Sequence, residues 1–449
     1  MEESAEASTP LKRVLIVAYY WPPAGGPGVQ RWLKFAKYLP ECGWEPTLLV
    51  PDGAAYPVMD ASLESDIPRS LKVIRVPIFE PYETALRLFQ KQGAERLGSG
   101  GTEQSGWTGT LLRWMRGNVL LPDPRVLWRR PATRASALAI RKMTAAGQPF
   151  DAIVTTGPPH SVHLIGRALK KRFGLPWLAD FRDLWREMDY LQDFLPTSRT
   201  NRRHAQMEAS VLNLADAITH ASPSAADSFA ANGAEGTAQK LHLLYNGWDP
   251  KDLGADAEPP ASLAAGQFHL GHFGSLFPTR DMPGLWKAIH QWNQAVPAGR
   301  IPIHIHLYGS ISPPVRHSLH RHLDDGEWTD HGYVNHTEAV HRMNTMDALL
   351  LVQNDNDTGQ RSIPGKAFEY LATGQPLAVV TPVPSDLATL VSSWGLAPTP
   401  HADETGFLSL LDGLFDGQSQ LEGLASKYTR QALTRELAQH LNAMVAKNH

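Results

Sequence analysis

The sequence predicts an α/β protein of two Rossmann-like domains in series, and three observations carry that expectation. Short, continuous apolar runs alternate with helix-period segments, as buried parallel strands and their crossover helices do. Near the amino terminus, Val14 to Tyr20, a helix over Val29 to Leu39 and the run Pro46 to Val50 make one βαβ unit. Near the carboxyl terminus, Ala348 to Val352, a loop, a helix from about Lys366 and the run Leu377 to Val380 repeat the arrangement.

Length sets the scale. At 449 residues the chain is long enough for about two to three domains with ample core. Residues 1–10, small and acidic, read as a disordered tail. Residues 11–250 form the first domain, and 251–267, with adjacent Pro259 and Pro260, form a linker. The second domain covers 268–423, and 424–449 is an amphipathic terminal helix. Within the first domain, Val73 to Val76, Asp151 onward, Trp177 onward and Ala217 to Ser222 supply further strands. In the second, Phe268 to Gly274 and Ile303 to Tyr308 do the same.

An apolar content of 42% and a charged content of 19% describe an ordinary globular chain, and a net charge of −3 argues against a nucleic-acid partner. One cysteine, Cys42, excludes internal disulfides and a cysteine-based zinc cage, and points to a reducing compartment. Neither an export signal nor a run of about 20 apolar residues is visible, so a cytoplasmic place is expected, at most peripheral to the inner face of a membrane. The histidine pair His304/His306 lacks an acidic or third ligand at a matching spacing, so we expect a surface or network role and no metal, and the same expectation covers His317, His320 and His322.

Residues 84–146 differ in character. They hold eleven Lys and Arg against three acids, and over 107–130 the aromatics Trp107, Trp114 and Trp128 alternate with Arg113, Arg116, Arg129 and Arg130. Two readings stand side by side: a helix pair packing its aromatics on the first domain's core, or a surface for anionic membrane.

The chemistry-bearing residues fall at strand ends. Pro364 and Gly365 suit a tight loop before a helix that begins at Lys366 and stops at Gly374. Such an N-terminus attracts phosphate; Lys366 adds a charge, Ser362 a hydroxyl, and Glu369, one turn on, an acceptor for vicinal hydroxyls. A nucleotide-sugar fits that set, and so does a helix whose Lys and Glu are merely solvated. Gly25, Gly26 and Gly28 lie at the first strand-to-helix turn, where they admit a phosphate or serve tight packing. Arg31 breaks the GxGxxG pattern and no acid ends the second strand, which disfavours a nicotinamide dinucleotide. His160, Asp180, Arg182 and Asp183 follow strands and should converge on one cleft.

Resemblance narrows these alternatives. Ile363-Pro-Gly-Lys-Ala-Phe-Glu-Tyr-Leu-Ala-Thr-Gly-Gln-Pro376 is similar to the donor segment of the retaining, GT4-like (group 1) glycosyltransferases of GT-B fold. Tyr19 to Arg31 resembles their first loop, Ala179-Asp-Phe-Arg-Asp183 their acceptor-side run, and Leu241 to Asp249 their turn into the linker. The resemblance implies two domains facing a cleft, a last helix crossing back to the first domain, and a nucleoside-diphosphate sugar, UDP- or GDP-linked, as donor. Its acceptor would be a hydroxyl of a cell-surface glycan or a lipid-linked glycan. Arg280 and Lys366 would clamp the diphosphate over Gly25, Gly26 and Gly274 without metal or other cofactor. Glu369 would hold the ribose, with Ser362 on the donor side and Tyr333 near the base. Asp183 or His160 would orient or deprotonate the acceptor. The family often has a second Glu where this chain has Arg361. Two other functions remain: an epimerase or hydrolase of the same fold, turning over donor without acceptor, and a non-catalytic glycan-binding or scaffold protein.

Overall fold

The computed structural model describes residues 11–80, 107–187, 191, 194–254, 263–417, 421 and 423–448. The tail expected over 1–10, the start of the basic stretch and the centre of the linker lie outside the described residues. The chain forms two compact units: Met1–Ala221 with Ala225–Leu244 and Thr434–His449, and Ser222–Ser224 with Tyr245–Leu433.

Among the described residues the first unit holds seven strands: β1 (Lys12–Val17), β2 (Trp44–Asp52), β3 (Lys72–Pro77), β4 (Ala152–Gly157), β5 (Trp177–Phe181), β6 (Ala217–His220) and β7 (Leu241–Leu243). All pair parallel in the order β3-β2-β1-β4-β5-β6-β7. Helices α1 (Pro27–Tyr38), α2 (Trp107–Asn118), α3 (Arg129–Ala145), α4 (Ser161–Phe173), α5 (Ser198–Leu214) and α6 (Ala225–Asn232) complete it. Strand β4 is buried at all six positions, as a sheet covered on both faces requires. At Gly166 of α4 a Cβ would fall 2.4 Å from the Trp177 ring, so the missing side chain lets this helix lie close on the sheet. Strand β2 runs two residues beyond the expected Val50 and does end on an acid, Asp52, which corrects that part of the sequence reading. The last residues of the chain, in α13 (Arg430–Ala446), also belong here: Lys12 donates to Asn442 and His242 stacks on His440.

Among the described residues the second unit has five parallel strands in the order β10-β9-β8-β11-β12, formed by β8 (Phe268–Phe273), β9 (Ile303–Tyr308), β10 (Trp328–Gly332), β11 (Ala348–Val352) and β12 (Leu377–Val380). Between them run α7 (Pro283–Gln294), α8 (Pro313–His322), α9 (His336–Met343) and α10 (Lys366–Thr373), followed by α11 (Asp386–Ser393) and α12 (Gly406–Phe415). Helix α10 starts at Lys366 and stops where Gly374 turns left-handed, at φ 72°. In each unit the strand order reverses beside the first strand, at β1/β4 and at β8/β11, and ligands of open α/β sheets bind at such switch points.

The described part of the basic stretch packs in part on the first unit. Trp128 is core, donating to the Val76 carbonyl. Asn118 at the end of α2 ties down the 195–200 segment, and Arg116 covers the Phe194 ring. Trp114, Met115, Val119 and Leu127 remain exposed.

Candidate functional site

In the second unit the end of β8 is laced to the ends of β9 and β11. Gly274 donates to the Tyr308 carbonyl at 2.7 Å, and Asp355 to the Thr279 carbonyl at 2.7 Å. Arg280 spans the switch point, its Nε 2.7 Å from Asn354 Oδ1 and its Nη1 3.0 Å from the Ser275 carbonyl. Both partners are neutral, and no carboxylate among the described residues pairs with this guanidinium, whose pKa burial lowers.

Lys366 opens α10, and its Nζ lies 2.6 Å from the point a Cβ on Gly274 would occupy. Among the described residues it has no hydrogen-bond or ion-pair partner. Burial draws its pKa down to about 8; Glu369 pulls it back up and Arg280 pushes it further down. Two buried cations thus act on each other here, with the Glu369 carboxylate beside them. Glu369 lies one turn on, likewise unpaired among the described residues. The structure thus brings Gly274, Arg280, Lys366 and Glu369 together in one neighbourhood.

Other predicted members have different work. The Ser362 hydroxyl donates to the Thr358 carbonyl at 2.9 Å and accepts from Gln353 at 2.9 Å, so it organises the loop. Arg361 is exposed, and its carbonyl accepts from Ser222. Tyr333 is 63% exposed just past β10. Sequence reading missed Gly309, which has φ 137° and whose Cβ would fall 2.5 Å from the Gly274 carbonyl oxygen. A lone glycine straight after an apolar strand was the available signal. It also missed Asn354 and His272; the latter is buried, with Nδ1 2.9 Å from the Leu350 carbonyl.

In the first unit the glycines of the first loop serve separate ends. Gly25 donates to the Val58 carbonyl, and a Cβ there would press on Val58 at 3.0 Å, so it serves packing. Gly26, at φ 95° before α1, faces open space. At Gly28 a Cβ would strike Arg182 Nη1 at 2.0 Å; the gap admits that guanidinium, which donates to the Gly157 and Pro158 carbonyls.

Asp180 departs from the expectation that it reaches the cleft with Arg182. It is fully buried and accepts from Arg31, Trp32, Thr156 and Thr219. Burial raises its pKa, but Arg31 and these donors outweigh that and hold it at about 2. Asp183, by contrast, has no hydrogen-bond or ion-pair partner among the described residues. Burial raises its pKa while Arg182 opposes the rise. His160 is 7% exposed and stacks on Trp185 at 4.8 Å. Burial pushes its pKa well down, against the opposing effect of a backbone hydrogen bond at Leu184, so it is a neutral imidazole. No hydrogen bond joins it to Asp183.

The second unit's histidines form a row. His269 Nε2 lies 2.9 Å from the Ala264 carbonyl, His269 Nδ1 2.9 Å from His306 Nε2, and His306 Nδ1 2.9 Å from His331 Nε2. A carbonyl only accepts, so each ring donates through Nε2 in turn. The two nitrogens of His306 point to different neighbours, which makes a chain of hydrogen bonds and not a cage.

Both units have the parallel-sheet construction of GT-B glycosyltransferases. Residues 25–247 match the family described as the glycosyl transferase 4-like domain. No curated protein sequence gives a significant match. Among solved structures the chain is similar to the N-terminal domain of Candida albicans trehalose-6-phosphate phosphatase, at 14% identity over 99% of each chain with a TM-score of 0.62. It is similar to α,α-trehalose 6-phosphate synthase of Burkholderia multivorans, at 11% identity over 98% of this chain and 100% of that one, TM-score 0.59. It is also similar to WaaG, a glycosyltransferase involved in lipopolysaccharide biosynthesis, at 13% identity over 97% and 99%, TM-score 0.53. At these identities the likeness speaks for the fold.

Proposed function

We propose that the protein moves a sugar, with retention, from a nucleoside-diphosphate sugar to a hydroxyl of a cell-surface glycan or lipid-linked acceptor. The observation that carries this reading is the Arg280–Lys366 pair, held by neutral partners or by none beside the gap at Gly274. As the bond between the sugar's anomeric carbon and the diphosphate oxygen breaks, charge builds on the leaving group. Preorganised cations stabilise that charge, commonly by a few kcal/mol. In this reading they do so without a divalent metal. Glu369 accepts the ribose hydroxyls and Tyr333 lies by the base. In the first unit Asp183, with a carboxylate no side chain claims, orients the acceptor hydroxyl and takes its proton. His160 is assigned a supporting place there as a neutral acceptor.

A thermal-shift panel of UDP- and GDP-sugars, followed by labelled-sugar transfer into lipid and glycan pools with and without EDTA, tests the proposal. Stabilisation by one donor class and acceptor-dependent transfer that survives EDTA are expected. Donor breakdown at the same rate without any acceptor would point instead to the epimerase or hydrolase reading. Wild-type turnover in Asp183→Asn would remove that residue's role.

No helix among the described residues is long and apolar enough to cross a membrane. The exposed Trp114, Met115 and Val119, on and just beyond a helix that also carries Arg113 and Arg116, support a peripheral contact with anionic lipid. Binding to phosphatidylglycerol vesicles should fall steeply as salt rises from about 0.05 to 0.5 M. It should weaken further in Trp114→Ala, and equal binding to neutral vesicles would dismiss the contact.

A further inference from the structure

We infer that a cavity on the first unit, bounded by α4, α5 and the residues that follow α2, takes the phosphate headgroup of an anionic membrane glycerophospholipid. The inference rests on the reading of α2 and its end as a contact with anionic lipid, and gives that contact a defined seat. The cavity, of about 410 Å³, is lined by Val119 and Leu121 just after α2, by Arg167 of α4, and by Arg203, Gln206 and Met207 of α5. Three of these side chains are apolar. The other three bring two guanidiniums and an amide, so the lining suits a molecule with an anionic head and an apolar body.

The charge has no internal counterpart. Helices α2 to α5 carry fourteen Lys and Arg (two on α2, five on α3, four on α4 and three on α5). Against them stands one acid, Glu208, whose carboxylate accepts from Arg186. Among the described residues no carboxylate pairs with Arg129, Arg167 or Arg203. Arg167 is half-buried and held in place: it donates to the Ser210 hydroxyl, which donates in turn to the Met207 carbonyl at 2.7 Å. Burial, and then the charge of Arg129, lower its pKa, so guanidiniums crowd here with only a neutral hydroxyl between them and solvent. A planar guanidinium offers two parallel N–H groups, which match two oxygens of a phosphate.

The apolar lining decides between a lipid and a free phosphate. Val119 lines the cavity and is 56% exposed, so it joins the cavity to the exposed Trp114 and Met115 of α2. A lipid whose phosphate sits on Arg167 and Arg203 lays its glycerol and first methylenes along Val119, Leu121 and Met207, towards that surface. Inorganic phosphate would leave all three unused.

The experiment measures calorimetric binding of soluble dihexanoyl-phosphatidylglycerol and of inorganic phosphate to the full chain, beside sedimentation with phosphatidylglycerol and phosphatidylcholine vesicles. One dihexanoyl-phosphatidylglycerol per chain should bind saturably, and far more tightly than phosphate. Arg203→Gln should weaken it about tenfold, the scale of one lost charge-assisted contact. Gln206→Glu, which keeps the shape and sets a carboxylate beside the arginines, should weaken it at least as much. Arg172→Gln removes one charge from α4 outside the cavity and should leave the soluble lipid's affinity unchanged. Equal losses in Arg172→Gln and Arg203→Gln would mean diffuse attraction and overturn the seat, as would wild-type affinity in Gln206→Glu. Phosphate binding as tightly as the soluble lipid would overturn the lipid as occupant. No saturable binding of the soluble lipid, with vesicle binding that still depends on Trp114, would overturn the cavity and spare the peripheral contact. No preference for phosphatidylglycerol vesicles in the wild type would remove the contact itself.

Discussion

Replacing Asp180 with Ala is expected to cost about 3–5 kcal/mol of unfolding free energy, the usual cost of stranding a buried charge. Arg31 and Asp180 are each completely buried and joined at 2.8 Å. Around them, Trp32 at 2.7 Å and Thr156 and Thr219 at 2.8 Å fill the remaining acceptor positions of the carboxylate. Removing the carboxylate leaves a guanidinium in the interior with its main counter-charge gone. Against a typical total of about 5–15 kcal/mol, that loss is large. Urea denaturation of the variant measures it. The double variant Arg31→Met/Asp180→Ala should recover much of the loss, since a pair removed together leaves no orphan charge. A single variant as stable as wild type would show the pair to be dispensable. The pH dependence has a definite sign. The folded-state pKa of Asp180, about 2, lies below the ordinary carboxylate value, so its contribution is present above about pH 4 and lost as pH falls through 2.

Lys366→Ala should weaken nucleoside-diphosphate binding about a hundredfold, the scale of losing one desolvated charge contact. The wild-type protein should itself report on this residue. With a pKa of about 8, the ammonium is intact below that pH, and affinity should fall towards tenfold per unit above it. Lys366→Arg keeps the charge at all these pH values and should abolish the alkaline limb, although its bulkier head competes for the space beside Gly274. Calorimetry across pH 6 to 9.5 reads all three proteins. Affinity independent of pH in the wild type would contradict a titrating lysine at the site.

Much of this architecture was legible because apolar strands announce themselves. The runs at 14–20, 46–50, 348–352 and 377–380 fall on β1, β2, β11 and β12, and the start of α10 at Lys366 followed from Pro364 and Gly365 before it and Gly374 after it. Helix α5 escaped for a physical reason. Much of its buried face is polar, with Thr200, His204 and Glu208 inside, so no apolar stripe repeats every three to four residues. Those groups are satisfied from elsewhere in the chain: Glu208 by Arg186, His204 by Trp185, Thr200 by Asn118. The partners lie far away in sequence, and spacing carries no trace of them.

The site shows the same division. Lys366 and Glu369 share one turn of helix, and their relation can be counted off the sequence. Arg280 needs Asn354, 74 residues away, to be held. Asp180 and Asp183 sit three residues apart in one motif with opposite fates. The alternation of a strand sends Asp180 inward to Arg31, and the chain leaves the sheet before Asp183.

The histidine row across β8, β9 and β10 has a consequence of its own. Because the Ala264 oxygen dictates where the first ring keeps its hydrogen, three imidazoles share a single polarity, like dominoes leaning one way. Tautomer at one end is thereby decided several ångströms off at the other, and no ring can reverse alone. Substituting His306 with Phe would strand both neighbours at once, one left with an unclaimed lone pair and the other with an undirected N–H.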